Sequence, residues 1–171
     1  MSEPILDKIK QSLQEAEDLY HRLVLLVGEA GSGKTAVLRD LAGNLSTPVI
    51  NVNLVLSSEL LELTAKQRSL RLPGILDQIT EKAHPVVVLD NLEILFDKEL
   101  KQDPLRLLQS ISRKRAIVAS WNGKLDSGKL IYAEIGHPEY HSYDSDETLI
   151  IDMNSTATAV ADKNIREAGQ A

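Results

Sequence analysis

Leu23-Val24-Leu25-Leu26-Val27-Gly28-Glu29-Ala30-Gly31-Ser32-Gly33-Lys34-Thr35 joins a wholly apolar run to the pattern G-x-x-x-x-G-K-[ST], and its reading decides the fold. A short run of this kind that stops at glycine predicts a strand buried on both faces of a parallel sheet. After it, Val37, Leu38, Leu41 and Leu45 share one stripe, so a helix is predicted from Thr35 to about Leu45, ended by Thr47-Pro48. Strand, glycine-rich loop and helix together suit a phosphate chain. Glycines let several backbone N–H groups point into one concavity without Cβ clashes, and the helix adds its positive N-terminal end. Gly28, Glu29, Ala30, Gly31, Ser32, Gly33, Lys34 and Thr35 are therefore the candidate nucleotide-binding residues. Lys34 would reach the β- and γ-phosphates and Thr35 would offer its hydroxyl to Mg²⁺, so ATP and Mg²⁺ are the expected cofactors.

Outward from this stretch, strands and helices alternate. Upstream, Ile5, Ile9, Leu13, Ala16 and Tyr20 recur at helical spacing, predicting an amphipathic helix from Pro4 to about Tyr20. Downstream come a strand at Val49 to Asn53, a helix at about Ser58 to Lys66, and a helix at Leu72 to Ala83 opened by Pro73. Val86-Val87-Val88-Leu89 reads as another buried strand, delivering Asp90. Asp103-Pro104 opens a helix that runs to Arg113. A fourth strand spans Ala116 to Ser120 and reaches Trp121-Asn122-Gly123. A turn at Asp126-Ser127-Gly128 precedes a short strand at Leu130 to Ala133, and Thr148 to Met153 is the next strand. The fold class is α/β: a mostly parallel sheet with helices on both faces. Residues 1–153 read as one domain, and 154–171, polar and without periodicity, as a frayed or weakly helical tail.

Composition narrows the classes. The chain has 171 residues, a formal net charge of −6, 43% hydrophobic and 26% charged residues, and no cysteine. A chain of this length can bury roughly two-thirds of its unfolded surface in one core. Without cysteine there is neither a disulfide framework nor a thiolate metal site. No apolar run approaches the roughly 18–20 residues of a membrane span, and Glu3, Asp7 and Lys8 stand where a signal peptide would be apolar, so a cytoplasmic protein is expected. The acidic balance disfavours DNA, which would need a local basic patch.

Asp90, at the carboxyl end of a buried strand, is the companion expected beside a phosphate loop, placed to orient the water shell of Mg²⁺. Hydrolysis also needs a group that positions and deprotonates water. Asn91 follows Asp90 and cannot accept a proton; the nearest carboxylate is Glu93, whose reach depends on how the backbone leaves the strand. Asn122, past the fourth strand, is a candidate contact to the γ-phosphate or the water, with Ser120 as fallback. Lys34, Asp90, Glu93 and Asn122 form the candidate catalytic set. Arg113 and Arg115 flank the start of the fourth strand, the sheet edge away from the phosphate loop, and with Lys114 and Arg106 could form a basic docking patch. Arg68 and Arg71, nearer the nucleotide edge, could act on a neighbour's nucleotide. All four are candidate trans arginines, and no arginine falls between Asn122 and Met153. Slow intrinsic turnover is expected. The four histidines lack ligand spacing, His137 to His141 reads as a loop, and Trp121 and Phe96 read as core.

Through Gly28 to Thr35, Val86 to Asp90 and the polar residue after the fourth strand, Leu23 to Met153 resembles the additional-strand P-loop ATPases, including the AAA-type enzymes. The resemblance implies a three-layer, five-stranded core in which another strand separates the phosphate-loop strand from the Asp90 strand, with Lys34, Thr35, Asp90 and Asn122 at motif positions. It departs from that group at Asn91, where a carboxylate is usual, in having no matching arginine finger, and in leaving no room for a helical lid after Met153.

More narrowly, these motifs together with Leu89 to Phe96, Lys101 to Leu108, Trp121-Asn122-Gly123 and Gly136-His137-Pro138-Glu139-Tyr140 resemble the BrxF family, small P-loop proteins of BREX bacteriophage-defence systems. That resemblance implies other BREX proteins as partners, among them a larger ATPase and a DNA methyltransferase. Self-association is a further expected mode. The resulting expectation is a slow ATPase acting as a switch or subunit. The alternatives are a non-hydrolysing, nucleotide-dependent interaction module, a small-molecule kinase or a DNA-binding subunit.

Overall fold

In the computed structural model, which describes residues 3–81, 84–133, 141–144 and 148–154, the apolar run before the glycine-rich loop is β1 (Leu23–Gly28), buried along its whole length. It lies between β4 (Ala116–Asp126) and β7 (Leu149–Asp152), parallel to both. On the far side of β4 come β3 (Val86–Asp90) and then β2 (Val49–Asn51), so the parallel order is β2-β3-β4-β1-β7. β4 thus separates the phosphate-loop strand from the Asp90 strand, as the resemblance implies.

Side chains of each strand alternate between two cores. Leu23, Leu25 and Val27 of β1, with Leu89, Ile117 and Ala119, pack under α3 (Val52–Leu60), α4 (Ala65–Thr80) and α5 (Pro104–Ile111). Val24 and Leu26, with Val88 and Val118, pack under α1 (Glu3–Ala16) and α2 (Lys34–Leu45). Both faces are covered, which is why β1 has no polar alternation.

Several boundaries differ from the sequence reading. α1 stops at Ala16, and Tyr20 lies outside it, exposed, with the Arg113 guanidinium over its ring. β2 ends at Asn51 because the Asn51 side chain accepts from Leu54 N at 3.0 Å and caps α3, placing a helix at 52–60 where strand and loop were expected. α4 starts at Ala65, well before Pro73. A capping box between Thr64 and Gln67 fixes that start. Pro73 then lies inside the helix, where it cannot donate to Ser69 O, and Gln102 Nε2 bonds that carbonyl at 2.7 Å instead. Two 3₁₀ turns, Glu93–Phe96 and Lys98–Leu100, fill the segment between β3 and α5.

β4 is the largest surprise. It continues past the parallel sheet and folds back through β5 (Lys129–Tyr132) and β6 (His141–Asp144) as an antiparallel extension. His141, expected in a loop, is therefore on a strand. A two-stranded hairpin is marginal in isolation, and a third strand helps only with an apolar face to pack. Here Phe96 stacks on Tyr132 at 3.5 Å between ring centroids, and Trp121 meets the edges of Phe96 and Tyr143 at 5.0 and 5.7 Å. Each such pair contributes about 0.5–1.5 kcal/mol beyond burial. The rings fasten the extension to the turn that carries Glu93, and Trp121 and Phe96 are core as expected. The tail at 155–171 and residues 134–140 lie outside the described residues.

Candidate nucleotide site

The glycine-rich loop has the backbone its sequence requires. Gly31 and Gly33 have φ of 81° and 97°, in the left-handed region where a side chain strains. Gly28 leaves room for its neighbours: a Cβ there would lie 2.5 Å from Ser32 Oγ and 3.0 Å from Met153 Cγ, so those two side chains would have to shift. α2 begins at Lys34 with no side-chain cap, which leaves its first N–H groups facing the loop concavity.

Lys34 is buried, and its ammonium donates to Gly28 O and Glu29 O, both at 2.7 Å. Burial lowers its pKa below the ordinary lysine value, and the charges of Asp90, Glu93 and Glu29 oppose that shift. Thr35 Oγ1 donates to Asp90 Oδ2 at 2.8 Å, and Ser120 Oγ donates to Asp90 Oδ1 at 2.6 Å. Ser120 therefore orients the Asp90 carboxylate. A hydroxyl and a carboxylate side by side form a hard oxygen donor pair, suited to a Mg²⁺ ion that keeps waters and shares phosphate oxygens. Thr35 and Asp90 fit that ion.

Past Asp90 the chain turns sharply. Asn91 has φ 55°, which asparagine tolerates better than most residues, and its carbonyl accepts from Asn53 N at 2.9 Å. The turn brings Glu93 back to the crevice. One carboxylate oxygen of Glu93 accepts from Asn122 Nδ2, the other from Asn53 Nδ2 at 2.8 Å, and Asn53 Oδ1 accepts from Ile94 N at 2.7 Å. Lys34, Thr35, Asp90, Glu93 and Asn122 thus converge. Asn53 was missed by sequence reading; a polar residue just after the β2 edge was its only signal.

Residues 24–117, more than half of the chain, match the family model described as ATPase family associated with various cellular activities (AAA). The chain belongs to the AAA family. As an AAA domain it is similar in structure to C. elegans PCH-2, at 16% identity and TM-score 0.49, covering 89% of this chain and 42% of that one. It is similar also to a DNA replication initiation factor, at 14% identity and TM-score 0.48, covering 94% and 49%. AMPPCP-bound DnaA from Aquifex aeolicus follows at 17% identity and TM-score 0.45, covering 93% and 49%. The chain spans less than half the length of each. No curated protein matches it in sequence.

Among the described residues, the candidate arginines have other partners or point to solvent. Arg68 donates to the carbonyls of Leu60, Leu61 and Leu63, closing the C-terminus of α3. Arg115 bonds Thr80 Oγ1 at 2.8 Å and pairs with Asp77, as does Lys114. Arg113 lies 4.5 Å over the Tyr20 ring, Arg106 pairs with Asp103, and Arg71 is exposed on α4. The expected basic patch is thus largely engaged with local partners. Among the described residues no helix is long and apolar enough to cross a membrane.

Proposed function

We propose that this AAA domain is an ATP·Mg²⁺-binding module that hydrolyses ATP slowly on its own and serves as a switch or subunit of a BREX phage-defence assembly. The observation that carries the enzymatic part is the Glu93 carboxylate, set within the same group of charges as Lys34 and Asp90 and held by the amides of Asn53 and Asn122. In this reading the loop N–H groups and Lys34 bind the triphosphate, and Thr35 and Asp90 hold Mg²⁺, which when bound neutralises charge on the phosphate oxygens. Glu93 accepts the proton of a water whose oxygen bonds to the γ-phosphorus. The bond to the β–γ bridging oxygen breaks with its electron pair leaving on ADP. Asn122 orients the water or the γ-phosphate.

Both carboxylate oxygens of Glu93 are already engaged by amides, which supports slow turnover and keeps the non-hydrolysing module as the second reading. Single-turnover hydrolysis separates the two. Wild type should cleave bound ATP, and Glu93→Gln should slow cleavage by about 10²–10⁴-fold while still binding it. If wild type holds ATP uncleaved with its partners present, the module is a binding switch only. The BREX placement is supported by the motif resemblance. Deleting the chain from such a system should raise phage plating; unchanged plating removes the placement.

A further inference from the structure

Lys124 belongs to no motif of the nucleotide site, yet its position bears on that site's charge. Gly28 and Asn122 are register partners in the β1–β4 pair, and Lys124 follows Asn122 by two residues on the same strand. Strand period places the two side chains on one face. Together with Glu29, Ala30, Asn122, Gly123 and Ala133, Lys124 lines a cavity of about 210 Å³. The outer wall of the phosphate loop is one side of that cavity; the start of the β4 extension is the other.

The backbone under Lys124 is fixed. It pairs with Ile131 in the β4–β5 ladder, and Trp121 Nε1 donates to Ile131 O at 3.2 Å. Gly123 lets the two strands approach this closely, because a Cβ there would strike Ile131 O. The side chain itself is exposed and makes no hydrogen bond or ion pair among the described residues.

The charge balance calls for such a cation. Around Lys34 stand three carboxylates, Asp90, Glu93 and Glu29, so the site is acidic before an ATP·Mg²⁺ complex adds its own negative charge. Arg68, Arg113, Lys114 and Arg115 are engaged elsewhere, and Lys129 pairs with Asp144. We propose that Lys124 is a second, in-chain cation of the nucleotide site, contacting the terminal phosphate of ATP from the β4 extension. This rests on the nucleotide-binding reading above. Lys124 then stabilises the charge that builds on the transferring phosphoryl oxygens, a task for which no arginine among the described residues is placed at the crevice.

Calorimetric titration with AMPPCP and with ADP, in the presence of Mg²⁺, tests the assignment. A contact to the terminal phosphate alone predicts that Lys124→Gln weakens AMPPCP about tenfold and leaves ADP within about twofold. Lys124→Arg should keep the discrimination and Lys129→Gln should change nothing. Single-turnover hydrolysis should fall in Lys124→Gln by more than the affinity does, by about 10²-fold. Equal loss of both nucleotides, or loss of neither, overturns the role of Lys124 while leaving nucleotide binding intact. If wild type binds neither nucleotide, the reading of the site itself falls. A thermal melt of Lys124→Gln matching wild type excludes misfolding as the cause.

Discussion

Residues 28–35 and the carboxylate cluster meet at Lys34 and Thr35, yet the first is one stretch of chain and the second is drawn from α3, β3, a 3₁₀ turn and β4. In the phosphate loop, identity and geometry are local: glycines supply the dihedral angles and α2 supplies the N–H groups. In the cluster no residue has its function alone. Asp90 is oriented by Ser120 from the neighbouring strand, and Glu93 by amides from two other elements. Phosphate binding should therefore respond to single residues within the loop, whereas cleavage should respond to residues far apart in sequence.

The largest effect that could break this division is Lys34→Ala. It should weaken AMPPCP by about 10²-fold or more, since it removes a charged donor from the phosphates, and a titration retaining near wild-type affinity would contradict the loop assignment. Next, Asn53→Ala frees one oxygen of Glu93 and exposes Ile94 N. With that oxygen open to water, single-turnover cleavage should rise several-fold, stability should fall by about 1 kcal/mol, and ATP affinity should hold. A fall in affinity equal to the change in rate would erase the division between binding and cleavage. Gly28→Ala comes third, pressing on Ser32 and Met153. Both are movable side chains, so a cost of about 1 kcal/mol or less should lower Tm by a few degrees in calorimetry.

The smallest effect serves as a control at the opposite end of the sheet. Desolvation pushes the Asp77 carboxyl up, but hydrogen bonds and charge from Lys114 and Arg115 outweigh it and hold its pKa below the ordinary 3.8. A depressed folded value means the unfolded chain binds more protons, so this stabilisation is present above about pH 3.8 and is lost as pH falls through the folded value. Asp77→Asn should flatten the acid limb of a Tm-against-pH profile and leave nucleotide affinity at neutral pH unchanged.

This division also explains what could be read from the chain alone. β1, the loop and α2 were legible because apolar runs, glycines and the helical stripe carry their own geometry. Asp90 was legible because a strand end delivers it. The reach of Glu93 was not, since it depends on a positive φ at Asn91 and on Asn53 from a different element. Pro73 misled because the partner that satisfies Ser69 O is Gln102, beyond any local window. The Thr64–Gln67 capping box was visible in sequence and was the better start signal for α4. The β4 extension was half legible: the Asp126-Ser127-Gly128 turn and the strand after it were readable, but its fastening by Phe96 and Trp121 is tertiary.

The central place of β1 has a consequence in time. Its partners are β4 and β7, both distant in sequence, so none of its ladder bonds can form by local zipping. During synthesis, Leu23 to Gly28 emerges before both partners, an apolar segment with both edges unpaired until β4 and then β7 are made. Loop closures of that length slow folding relative to locally paired strands. The phosphate loop, first of the site to be translated, would then be among the last to acquire its working shape.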